Sequence, residues 1–457
     1  MEKRVFKRKI YDRILRWKQE SNGKSALMIQ GARRIGKSTI AEEFAKNEYS
    51  SYLIIDFNKA SATVKSLFDD LMDLNFIFLQ LQTIYNVVLE ERKSVIIFDE
   101  VQKCPNARQA IKYLVQDGRY DYIETGSLIS IKQNTKGITI PSEEEQIDMY
   151  PMDFEEFLYA NGVGEVAIET MRESFNSNQA LSDVMHNKML DLFKKYLLVG
   201  GLPKAVEVFV DSRNVVEFRS VQQEAHSLYG IDASKYEELH DRKLKIRRIY
   251  DMIPSNLENK KKRIVINKIE DKSWKRADDY LNEFYYLISA GIALEVKAIS
   301  KPSYPLVENS GKNLLKLYLN DVGILSGIFY RNNIRAVMSD IRSINLGSVY
   351  ETVVAQELKA HGYNLYYYDN KKNGEVNYLI DDADNLSNIP IEVKSGKDYT
   401  VHSALDKFLA NDEYNIKKAY VLSNEQRVYT ENGITYIPIY YIMFFRNISN
   451  VVEEFLD

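Results

Sequence analysis

The chain has 457 residues, with 61 Lys+Arg against 65 Asp+Glu and a net charge of −4. At about 150 residues per domain this length predicts three domains, and the mild acidity excludes a chain that is basic throughout, though not a local basic face. A single cysteine, Cys104, excludes an internal disulfide and a multi-cysteine zinc site, and fits a reducing compartment.

The longest apolar run, Ile437 to Phe445, has nine residues and contains Pro438. A membrane span needs about 18. The basic start, through Lys9, is not followed by a secretory apolar segment. These features predict a soluble, cytoplasmic protein with no membrane partner. Nine prolines argue for a helix-dense chain with few disordered linkers. The 32 tyrosines read as half-buried surface rather than as a base-stacking platform.

In chain order, residues 1–24 form a basic helical lead-in. Short apolar runs then alternate with helical stretches: Ser25–Gln30, Tyr52–Phe57, Ser94–Phe98 and Asp121–Thr125, with a fifth candidate at Glu145–Tyr150. That alternation predicts a parallel sheet covered by helices on both faces, in a first domain at 1–150. Residues 151–240 read as helical. Residues 241–340 begin with basic helices, continue into a turn and strand at Ala290–Val296, and end in a connecting region from 301. Residues 341–457 restart an α/β pattern. It has a helix over Leu346–His361, strands near Tyr366–Tyr368, Glu375–Ile380 and Ile389–Lys394, a helix near His402–Leu409 and a strand at Ala419–Ser423.

Gly31, Ala32, Arg33, Arg34, Ile35, Gly36, Lys37 and Ser38 satisfy G-x-x-x-x-G-K-[ST] between a predicted strand and a predicted helix, with Thr39 continuing the stretch. Such a loop wraps phosphates with inward N–H groups, helped by the helix dipole. Lys37 then reaches the β- and γ-phosphates of ATP, and Ser38 ligates Mg²⁺. The apolar strand Ser94–Phe98 runs into Asp99 and Glu100. A strand end beside a P-loop delivers Asp99 to Mg²⁺ and Glu100 to the attacking water. Thr125 and Ser127, at the end of the fourth strand, are candidates to sense the γ-phosphate or to cap a turn. Arg33 and Arg34 could neutralise phosphate or lie on the surface. Arg119 is a further candidate for an arginine finger, acting within the chain or from a neighbour.

These motifs resemble the AAA-type ATPase family of bacteria and archaea with a C-terminal domain of unknown function. The resemblance rests on Gly31–Thr39, Phe98–Pro105, Thr125–Ser127, Tyr150–Phe157, Tyr196–Pro203, Leu317–Leu325 and Ile391–Ser395. It implies an ATPase core, a winged-helix segment and a nuclease-like C-terminal domain. The expected fold class is α/β: a P-loop NTPase parallel-sheet domain (1–150), a helical lid or linker (151–240), a winged-helix-like basic region (241–340) and an α/β nuclease-like domain (341–457).

Between Asp241 and Arg276 stand thirteen Lys/Arg and five Asp/Glu, a net of +8. Arg242, Lys243, Lys245, Arg247 and Arg248 precede the run Lys260–Arg263. That segment could meet nucleic-acid phosphates, or be a solvated loop or a protein contact. Further on, Glu351 lies on a helix, Glu375 and Asn377 share one face of a strand, and Glu392 and Lys394 share a face of the next. This resembles the PD-(D/E)xK nuclease core, in which carboxylates hold Mg²⁺ and a lysine assists water. The pattern departs at Asn377, where an amide replaces the usual Asp and removes charge from the metal site.

His186, His226, His240, His361 and His402 are scattered without metal-ligand spacing. Cys104 reads as a small filler or a reactive thiol, and the seven acids from Ser142 to Glu156 as a solvated face or a contact for a basic partner. The reading reached is a Mg²⁺-dependent, ATP-binding ATPase coupled to a C-terminal module for nucleic acid or protein, with a homo-oligomer or protein partner as candidates. A nucleotide-gated binding protein with little turnover and an ATP-regulated DNA nuclease are the alternatives.

Overall fold

A computed structural model of the chain describes residues 4–126, 142–235, 240–259, 262–270, 275–309, 315–339, 346–370, 372–396 and 399–447. Ser127, Lys260 and Lys261, and the side chain of His240, lie outside the described residues. The chain forms two compact units, one of Met1–Tyr150 with Ser289–Gly291, the other of Pro151–Ile288 with Ile292–Asp457.

In the first unit, α1 (Ile10–Ser21), β1 (Ala26–Gln30), α2 (Lys37–Glu48) and β2 (Ser51–Asp56) come first. They are followed by α3 (Ala62–Ser66), α4 (Leu74–Tyr85), β3 (Ser94–Asp99), α5 (Pro105–Asp117), β4 (Asp121–Gly126) and β5 (Glu144–Asp148). The five strands pair in the order β2-β3-β4-β1-β5, all parallel. β1 is buried along its whole length, as a strand covered on both faces must be, and so is β4, although it carries Asp121, Glu124 and Thr125. Helix α2 turns Ile40, Ala41, Phe44 and Ala45 into the core, the i, i+1, i+4, i+5 spacing of one helical face. On the other side Phe57, Phe68 and Phe98 meet edge to face at 5.4–5.9 Å between ring centroids. Because β4 lies between β1 and β3, the ends of these three strands bring the P-loop, Thr125 and Asp99 to one edge of the sheet.

The second unit holds helices α6 (Phe154–Ala160), α7 (Glu165–Asn176), α8 (Asp183–Val199), α9 (Pro203–Ser212), α10 (Val215–Lys235), α11 (His240–Glu258), α12 (Asn267–Glu270) and α13 (Leu281–Ser289). Then come β6 (Ala293–Ile299), β7 (Leu315–Leu319), α14 (Val322–Tyr330), α15 (Arg335–Met338) and α16 (Gly347–Ala360). The chain continues through β8 (Tyr366–Asn370), β9 (Gly374–Asp382), β10 (Ser387–Val393), α17 (Ser403–Leu409), β11 (Ala419–Ser423), β12 (Tyr429–Glu431) and β13 (Ile434–Pro438). Among the described residues, eight strands form one mixed sheet, β12-β13-β11-β10-β9-β8-β6-β7.

Two expectations change here. The strand expected at Ala290–Val296, within the region read as winged-helix-like, is β6, an inner strand paired parallel to β8 and antiparallel to β7. The region anticipated as a connection contains β7, buried on both faces, where Leu315, Leu317 and Leu319 alternate with Lys316 and Tyr318. The long apolar run Ile439–Phe444 is a buried 3₁₀ stretch in this unit.

Three motifs without assigned chemistry meet in the second unit. Met152 N–H donates to Gly201 O at 2.7 Å, and Gly201 N–H donates to Asp321 Oδ2 at 2.6 Å. Asp321 also caps α14, accepting from Ile324 N–H at 3.0 Å. Tyr196 donates its hydroxyl to Met152 O at 2.7 Å, and Gln356 Nε2 donates to that hydroxyl at 2.7 Å. A Cβ on Gly201 would run into the Met152 backbone, so the close approach requires glycine. Burial pushes the Asp321 carboxyl up to about 6, while four backbone N–H donors pull it down.

Candidate nucleotide site and C-terminal carboxylate cluster

The P-loop leaves β1 at Gly31, whose φ of 152° lies in the range open to glycine, and a Cβ there would collide with the Met149 carbonyl. Gly36, at φ 100°, ends the loop and precedes α2. Ala32 and Ile35 are buried, Arg33 and Thr39 are half-buried, and Arg34 is exposed with φ 63°. Lys37 is buried, and its ammonium donates to Ala32 O at 2.7 Å and Gly31 O at 3.1 Å. Burial pushes Lys37 down to about 8, against the upward pull of Glu100 and Asp99; the Arg33 charge adds to the fall.

Ser38 Oγ donates to Asp99 Oδ1 at 2.6 Å, and Thr125 donates its hydroxyl to the same oxygen. Glu100 N–H donates to Thr125 Oγ1 at 3.3 Å. The structure therefore brings Lys37, Ser38, Asp99, Glu100 and Thr125 to the same strand ends. Glu100 occupies the left-handed region, φ 55°, at the turn off β3. A non-glycine residue there stores about 1–3 kcal/mol of strain at the turn that follows Asp99. The hard oxygens of Ser38 and Asp99, already in hydrogen-bond contact, are the donor set a hydrated Mg²⁺ takes.

Two supporting residues escaped sequence reasoning. Gln102 Nε2 donates to Glu100 Oε2 at 2.6 Å from a side chain 2% exposed. Arg8, in the basic lead-in, is buried and donates to Ile35 O at 2.9 Å and Tyr150 O at 2.8 Å, bracing the loop. Arg119 is placed away from the site. It precedes β4, at the opposite end from Thr125, and forks onto Asp117 at 2.7 and 2.9 Å while lying over the Phe78 ring. That stacked, paired geometry removes it as a finger acting within this chain's own site. Cys104 is buried, its thiol pushed up by that burial, which makes it a filler.

The basic segment is largely paired inside the second unit. Arg242 meets Glu283 at 3.4 Å, Lys245 meets Glu270 at 3.2 Å, and Arg247 meets Asp251 at 2.8 Å. Arg263 meets Asp369 at 2.6 Å, and Lys262 pairs with Glu351. The run Lys260–Arg263 is thus no free basic loop over its described half.

Glu351, Asn377, Glu392 and Lys394 do converge. Asn377 Nδ2 donates to Glu351 Oε1 at 3.0 Å, Asn377 N–H to Glu392 Oε2 at 3.4 Å, and Lys394 Nζ to Glu392 Oε1 at 2.9 Å. Burial raises the Glu392 carboxyl, with Lys394 pulling the other way. Glu375 is drawn off to Lys316 instead. Of the described histidine side chains, His361 lies 3.2 Å from Asp153 Oδ2 and 3.8 Å from Glu357 Oε2, a buried grouping that scattered positions did not announce.

Residues 23–158 match the family model described as an AAA domain. Residues 190–333 and 346–442 match two domains of unknown function, DUF8612 and DUF4143. With the parallel sheet and the Gly31–Ser38 loop, the first match makes the N-terminal part an AAA-type P-loop ATPase domain and supports ATP binding. No curated protein matches the chain. Among solved structures, a Walker-type ATPase of Pyrococcus abyssi is 14% identical, over 70% of this chain and 95% of its own, with a TM-score of 0.41. The Holliday junction branch migration motor RuvB of Thermotoga maritima is 11% identical, over 63% and 89%, with a TM-score of 0.29. No helix among the described residues is long and apolar enough to cross a membrane.

Proposed function

We propose that the chain is a Mg²⁺-dependent ATPase whose nucleotide state governs a binding activity of its second unit. The observation that supports this most is the sharing of one Asp99 oxygen by the Ser38 and Thr125 hydroxyls, beside the P-loop and next to Glu100. The loop N–H groups and Lys37 hold the β- and γ-phosphates, the Lys37 ammonium exchanging loop carbonyls for phosphate oxygens. Arg33 and Arg34 neutralise phosphate charge from within the loop. Ser38 and Asp99 would hold Mg²⁺, which when bound supplies charge neutralisation at the phosphates. Glu100, steadied by Gln102, orients a water in line with the γ-phosphorus and takes its proton as the bond to the bridging oxygen breaks and ADP leaves. Thr125 links the Glu100 backbone N–H to the Asp99 carboxylate.

Nucleotide binding and phosphate release, measured on the wild type and on Lys37→Ala, test this. The wild type binds ATP and releases phosphate, and Lys37→Ala does neither. Tight ATP binding with no phosphate released would replace an ATPase with a nucleotide-gated switch.

A further inference from the structure

The nuclease resemblance of the second unit implies a divalent cation between Glu351, position 377 and Glu392. The residues present do not fit one. Glu351 Oε1 accepts from the Lys262 ammonium and from Asn377 Nδ2, and Glu351 Oε2 accepts the Tyr318 hydroxyl at 3.0 Å. Val393 N–H donates to Asn377 Oδ1 at 2.8 Å, which fixes the amide with its donor end toward Glu351. The amide thus offers a cation neither an oxygen nor a charge. Glu392 is engaged on one oxygen by Lys394 and on the other by Asn377 N–H.

Charge points the same way. Two carboxylates face two ammonium groups, so the buried cluster is balanced before any metal enters. A dication would leave it with excess positive charge in a poorly solvated site. Nor is Lys262 a stray side chain. Its N–H donates to Asn259 O at 3.0 Å, and the next residue, Arg263, is pinned by Asp369 at 2.6 Å and by the Tyr367 hydroxyl at 3.2 Å.

We infer that the Lys262 ammonium takes the place of a divalent cation in this cluster, so the second unit is a metal-free relative of a metal site and has no metal-dependent phosphodiester cleavage. Lys262 and Asn377 together keep the cation out, and replacing both restores a site for one.

Mn²⁺ binding to the full chain without nucleotide, followed by electron paramagnetic resonance, tests this independently of the ATPase reading. Wild type and Glu351→Gln give the same titration, with no Mn²⁺ held at the cluster. Lys262→Met with Asn377→Asp gains one Mn²⁺ per chain that wild type lacks, and adding Glu351→Gln weakens that binding at least about tenfold. Lys262→Arg with Asn377→Asp keeps a cation in place and gains none. Wild-type binding that Glu351→Gln removes would overturn the inference, as would a folded Lys262→Met, Asn377→Asp protein that binds no Mn²⁺. Should the double variant fail to fold, the wild-type and Glu351→Gln comparison decides alone.

Discussion

Gln102 Nε2 donates to Glu100 Oε2 at 2.6 Å, from two residues further along the same turn. The proposed water-orienting carboxylate is therefore held by a buried amide on its own 3₁₀ turn, Val101–Lys103, as well as by the strained backbone of Glu100. Gln102→Ala leaves the carboxylate present but loosely aimed. ATP affinity stays near wild type while kcat falls about tenfold or more, as expected for a misplaced catalytic group. Unchanged turnover, or a matching loss of affinity, would contradict a positioning role for Gln102.

The buried Lys37 gives the site a pH signature. Its ammonium is pushed down to about 8, and bound phosphate charge raises it again. The liganded site then holds more protons than the free one above that value, so affinity must fall as pH rises. ATP affinity is flat below pH 8 and falls by up to about tenfold per unit above it. Calorimetric titrations between pH 7 and 9.5 check this. An affinity that rises across that range would mean Lys37 binds phosphate in its neutral form.

The knot of Met152, Gly201 and Asp321 predicts where the second unit breaks. Gly201→Ala forces a methyl group against the Met152 backbone and costs about 1–3 kcal/mol. Asp321→Ala leaves Gly201 N–H buried without its acceptor, at about 1–3 kcal/mol. Denaturation midpoints report both. The folded Asp321 carboxyl titrates at about 6 against an ordinary value of 3.8. The folded chain therefore holds more protons between those values, and stability falls as pH rises through them. Asp321→Asn flattens that slope; an unchanged slope would assign it to other groups.

Much of this was legible in the residues, for physical reasons that also mark where legibility ended. A P-loop needs glycines at fixed offsets and a strand and helix around it, all local in sequence, so Gly31–Ser38 and the strand Ser94–Asp99 could be read directly. Arg8 could not. Nothing local separates it from Arg4, Lys7 or Lys9, and only the fold buries it against Ile35 and Tyr150. Strand β6 misled because its parallel neighbour β8 is distant in sequence, and a short apolar strand after basic helices looks the same in a wing or a sheet. The +8 segment misled because the partners Glu283, Glu351 and Asp369 lie outside the window in which the charge was counted.

That internal pairing lowers what the segment can offer a polyanion. Thirteen phosphate contacts would give duplex DNA binding a log–log salt slope of about −12. With Arg242, Lys245, Arg247, Lys262 and Arg263 held by acids, any slope is far shallower. Fluorescence anisotropy with labelled DNA from 25 to about 300 mM salt measures it. A slope near −12 would show that these ion pairs open on binding.

The central claim, that Glu100 activates water beside a P-loop carrying ATP, is tested most directly by Glu100→Gln. Nucleotide affinity and steady-state phosphate release are measured on the same protein. The account predicts wild-type ATP affinity with phosphate release lowered by at least about a hundredfold. Undiminished phosphate release from Glu100→Gln would contradict it.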